Sequence, residues 1–84
     1  MKKMTLEQLE EVAQNLTRTE LRKYVVPDEL WQELVLGTFF EAEETVFELY
    51  VPGERPEDAK VITRARINKV SGEGEVEVFE LQKK

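Results

Sequence analysis

"ITRARINKVSGEGEVEVF", Ile62 to Phe79, carries arginines at alternate positions in its first half and glutamates at alternate positions in its second, on either side of the glycines of "SGEG", Ser71 to Gly74. A side-chain period of two is the mark of strands with two unlike faces, and a glycine-rich break between two such runs is a hairpin turn. The stretch therefore reads as two antiparallel strands, Lys60–Val70 and Glu75–Leu81. With the turn centred on Gly72 and Glu73, Val70 faces Glu75, Ile67 faces Val78 and Arg66 faces Phe79. Val61, Thr63, Ala65 and Ile67 then share a largely apolar face with Val76 and Val78, the face expected to receive helices.

The opposite face takes Arg64, Arg66 and Asn68 from one strand and Glu75 and Glu77 from the other, so the arginines find partners inside the chain, Arg66 lying diagonal to Glu77. Such exposed pairs contribute about 0 to 1 kcal/mol each and set register more than stability. The same face also receives Ile62, Phe79 and Leu81, which do not belong on a purely solvated surface. Two helices do not cover both faces of a small sheet, so this surplus implies contact with another chain, through the sheet face or an unpaired edge. The candidate partner-binding residues are Ile62, Arg64, Arg66, Glu75, Glu77, Phe79 and Leu81. Phe79 is the expected aromatic anchor, and Phe79→Glu is expected to dissociate the assembly while the fold survives.

Upstream, "TVFELYV", Thr45 to Val51, reads as the first strand, with Phe39 and Phe40 either extending it backward or starting a separate turn. "PGERPED", Pro52 to Asp58, is a loop by its prolines and glycine. Before these lie two helices. "TLEQ", Thr5 to Gln8, is a capping box, with Met4 and Leu9 as the hydrophobic staple. Leu9, Val12, Ala13 and Leu16 follow at helical spacing, and the helix ends near Leu16 or runs on to about Tyr24 with a wider apolar face. Arg18, Arg22 and Lys23 suit its negative end. Pro27 opens the second helix, Asp28 and Glu29 complement its positive end, Leu30, Trp31, Leu34 and Val35 form its buried face, with an exposed interface anchor as the alternative for Trp31, and Gly37 stops it. The expected architecture is α+β: one domain over residues 1–84, with two N-terminal helices packed on one face of a three-stranded antiparallel meander.

Composition narrows the function. The 84 residues suffice for one thin core. Cysteine and histidine are both absent, which removes thiolate chemistry, disulfides and the commonest general base and metal ligand. No Asp-rich calcium loop occurs, and no cofactor is implied. "SGEG" offers backbone amides, but glutamates beside it oppose an anion. A net charge of −6 repels phosphate backbones and anionic membranes while leaving basic proteins as partners. The start "MKKMTLEQLEE" lacks the apolar core of a signal peptide, so a cytoplasmic protein is expected. The leading expectation is a non-catalytic acidic protein-binding module of inhibitor, immunity or adaptor type, able to occupy a basic nucleic-acid-binding surface and to form a homodimer through the sheet face or edge. The alternatives are a structural or self-associating domain, natural or designed, without a ligand, and an enzyme working with glutamates alone, for which Glu41, Glu43, Glu44, Glu73, Glu75 and Glu77 supply the carboxylates.

Overall fold

Thr5 caps helix α1 (Leu6–Leu21) in a computed structural model that describes residues 3–84; Lys2, part of the signal-peptide reading, lies outside them. The capping box forms in both directions: the Gln8 amide donates to Thr5 Oγ1 at 3.2 Å and the Thr5 amide donates to Gln8 Oε1 at 2.9 Å. The helix runs past Leu16, the shorter of the two lengths considered from sequence, but ends at Leu21, short of Tyr24. Buried residues recur every fourth position, Leu9, Ala13, Thr17 and Leu21, so Thr17 sits inside the stripe as a small buried side chain.

Beyond Pro27 the structure departs from the sequence reading. Helix α2 is a single short segment, Asp28–Glu33, with no buried residue. Leu34 is already extended at ψ 135°, and Val35–Phe40 forms a strand with Gly37 inside it. The expected helix stop at Gly37 is therefore wrong, as are Val35 on a buried helical face and Trp31 as a core residue: Val35 is exposed and the Trp31 side chain is half exposed. Six residues cannot bury a stripe, whereas the uncharged run "VLGTFF" gains a full ladder by pairing with the next strand.

The remaining elements are β1 (Tyr24–Val25), β2 (Val35–Phe40), β3 (Glu44–Val51), a 3₁₀ turn at Pro56–Asp58, β4 (Lys60–Asn68), β5 (Gly74–Val78) and β6 (Gln82–Lys83). Strands β2-β3-β4-β5 form one antiparallel sheet in chain order, and β1 pairs with β6 in a separate two-stranded ribbon. The fold class is α+β, but with one main helix and a four-stranded sheet in place of two helices and three strands. Helix α1 lies on one face, where Leu9 and Ala13 pack with Phe47, Ala65 and Ile67, flanked by Met4, Val12, Leu16 and Val76. The molecule is only 16 Å across its thinnest dimension, the depth of one helix on one sheet.

The β4–β5 hairpin is real, but its register is four residues away from the expected one: Arg66 faces Glu75, Arg64 faces Glu77 and Ile67 faces Gly74. The loop is wider than a two-residue turn, because Asn68 Oδ1 accepts from the Val70 and Ser71 amides and the Asn68 amide reaches the Glu73 carbonyl. Gly72 takes a φ of 74° within it, a conformation glycine adopts without strain. A shift of four is even, so the side chains paired in this hairpin keep their expected faces.

Candidate protein-binding surface

The outer face, away from α1, holds the residues singled out by the sequence. Strand β4 places Ile62, Arg64 and Arg66 there, β5 adds Glu75 and Glu77, and Phe79 follows opposite Ile62, its amide donating to the Ile62 carbonyl at 2.8 Å. The arginines do not divide between the two β5 glutamates. Arg64 Nε donates to Glu48 Oε2 on β3 at 2.6 Å, and Arg66 Nε lies 3.7 Å from Glu77 Oε1. The Arg64 guanidinium also stands 5.4 Å from the Phe79 ring centroid, within cation–π reach.

This cross-bracing changes the meaning of the apolar surplus. Ile62 is buried at 4% exposure, Phe79 and Leu81 are half-buried, and none of the three stands open to solvent. Leu81 is not on β5 at all. Glu80 takes a φ of 65°, which turns the chain out of the sheet and into β6, where Val25 and Gln82 pair.

Most of the exposed large apolar residues lie instead on and beside β2, the others being Leu6, Val25 and Val70. Trp31, Val35, Leu36, Phe39 and Phe40 are exposed at 51, 40, 44, 50 and 67%. Registers with β3 sort them: Leu36 opposite Leu49 and Phe40 opposite Thr45 on the helix face, Val35 opposite Tyr50 and Phe39 opposite Val46 on the outer face. At Gly37 a Cβ would meet the Tyr50 ring at 3.3 Å and the Phe39 ring at 3.4 Å, so the missing side chain leaves room for two aromatic rings on the outer face.

On the helix face, α1 leaves β2 uncovered. A groove of about 330 Å³ runs between them, walled by Ala13, Thr17 and Leu21 on one side and by Leu36, Phe47 and Leu49 on the floor, with Trp31 at one end and Glu10 and Arg18 on the rim. A second hollow of about 150 Å³ opens further along α1, where Phe40 meets Met4, Leu6 and Leu9. Sequence reading missed this surface because Gly37 resembles a helix terminator; the available signal was six uncharged residues, rich in branched and aromatic types, just before the expected first strand.

Among the described residues no group of three His, Cys, Asp or Glu side chains is placed to hold a metal ion. No helix is long and apolar enough to cross a membrane. No protein-family model, curated protein or solved structure matches the chain.

Proposed function

We propose that this protein is a non-catalytic binding module that acts on another protein, in the manner of an inhibitor, immunity protein or adaptor. The observation that carries the reading is the apolar groove beside α1 with the half-exposed Trp31 at its end. A tryptophan on a short exposed helix does nothing for the core of its own chain, whereas an aromatic at the mouth of an apolar cleft is the usual centre of a binding hot spot. The partner contributes an apolar segment to the groove, and basic residues around it meet the net charge of −6. A basic protein whose surface otherwise holds nucleic acid fits this description.

The test is affinity purification from the native host with the wild-type chain and with Trp31→Glu, followed by titration of the purified pair. Because α2 buries no residue, the variant is expected to fold. A partner held by the wild type and lost by Trp31→Glu, with affinity that falls as salt rises, supports the reading. Recovery of no protein, or equal binding by the variant, overturns it.

A further inference from the structure

We infer that this chain assembles with a second copy of itself through the free edge of β2, in one definite register. The inference does not depend on the heterologous partner proposed above.

The two edges of the main sheet are unlike. At the β5 edge the strand carries Glu75 and Glu77, is only five residues long and ends at the left-handed Glu80; charges and short length are devices that keep such an edge from pairing. The β2 edge, six residues long, lacks the charges. Val35 to Phe40 contains no charge and no proline, and no other element pairs with its open side.

The hydrogen-bond pattern fixes what that side offers. The Glu41 amide donates to the Glu44 carbonyl at 2.9 Å, and Glu41 and Glu44 continue the β2–β3 register. Bonded and non-bonded pairs alternate in an antiparallel ladder, so Val35, Gly37 and Phe39 bond to β3, while Leu36, Thr38 and Phe40 turn their amides and carbonyls outward. The far side of β3 agrees: the Lys69 amide donates to the Glu43 carbonyl, which directs Thr45 and Phe47 toward β4 and leaves Val46 and Glu48 for β2.

Two β2 edges related by a two-fold axis at Thr38 pair Thr38 with Thr38 and Leu36 with Phe40 in both directions. All outward groups are then used, as three bonded pairs of two hydrogen bonds each. Side chains agree with this register. Phe40 of the second copy comes to lie on the helix face beside Leu36, at the β2 border of the groove, and on the outer face Phe39 of the second copy comes opposite Gly37, next to the Tyr50 and Phe39 rings that already flank it. Axes at Gly37 or at Phe39 each leave one outward residue on each copy unmatched within the strand, and the axis at Gly37 also places two glycines together. A two-fold pairing consumes the uncharged edge of the main sheet, so this contact stops at two copies.

The chain has no cysteine, which allows a clean test. Residues in a bonded pair sit about 5.5 Å apart at Cα, inside the range a disulfide spans. Thr38→Cys is expected to give a cross-linked dimer on mild oxidation, and Glu75→Cys on the other edge is expected to remain a monomer on a denaturing gel. By sedimentation the wild type is expected to be dimeric and to dissociate on dilution. Thr38→Pro, which removes no bond to β3, is expected to stay folded by circular dichroism and to be monomeric. Because both copies carry a net charge of −6, rising salt is expected to strengthen the dimer, opposite to its effect on a basic partner. Three results would each overturn the inference: a monomer at every concentration, a dimer unaffected by Thr38→Pro, or cross-linking of Glu75→Cys without cross-linking of Thr38→Cys.

Discussion

Two arginines that look equivalent in sequence are unequal in the structure, and the difference is one of partner and exposure. Arg64 meets Glu48 at 2.6 Å with the Glu48 side chain 13% exposed, whereas Arg66 meets the half-exposed Glu77 at 3.7 Å. Removing Arg64 leaves a largely covered carboxylate without its donor; removing Arg66 leaves one that water solvates freely. Arg64→Gln is therefore expected to cost about 1 to 2 kcal/mol in urea unfolding, and Arg66→Gln less than about 1 kcal/mol. Equal losses would show that the Arg64–Glu48 pair adds nothing beyond an ordinary surface contact. Glu80 offers a second test. A non-glycine residue at positive φ costs about 1 to 2 kcal/mol, and a β-branched side chain tolerates that conformation least. Glu80→Val is expected to lower stability by more than about 1 kcal/mol, while Glu80→Gly is close to neutral, and a tolerated valine would contradict the left-handed turn that sends the chain into β6.

At the level of elements, α1 was legible because its cap, staple and apolar spacing all lie within sixteen residues and need no tertiary information. Thr5→Ala is expected to cost about 1 kcal/mol and Leu9→Ala about 2 to 5 kcal/mol, both by thermal or denaturant unfolding; two negligible values would mean that α1 is not held on the sheet. The β4–β5 hairpin was legible in its faces and not in its register, since a polar alternation of period two is satisfied by any even shift and only the five-residue loop selects one. Strand β2 was not legible. Pro27, Asp28 and Glu29 start a helix in either reading, and Gly37 ends one as readily as it makes space for Phe39 and Tyr50. What decides between them is the ladder with β3, a long-range interaction. The β1–β6 ribbon, two residues on each side, carries no sequence pattern of its own. Trp31→Ala is expected to leave stability within about 0.5 kcal/mol of wild type, as substitutions away from packed sites do; a loss of several kcal/mol would return Trp31 to the core.

Taken as a whole, the molecule is a single helix on a sheet one strand wider than the helix covers. The sequence reading inferred an apolar surplus on the outer face; the structure buries Ile62 and half-buries Phe79 and Leu81 there, and most of the exposed large apolar residues lie on β2 and beside it. The reason is geometric: Arg64, Glu48 and Phe79 from three neighbouring stretches cover the outer face themselves, whereas no element of the chain lies beyond β2. The most direct measurement is amide hydrogen exchange along Val35–Phe40 at high and low protein concentration. The amides of Gly37 and Phe39, bonded to β3, should be protected at both. Those of Leu36, Thr38 and Phe40 should be protected when the protein is concentrated and exchange freely when it is dilute. Rapid exchange of these three at every concentration would contradict pairing at this edge.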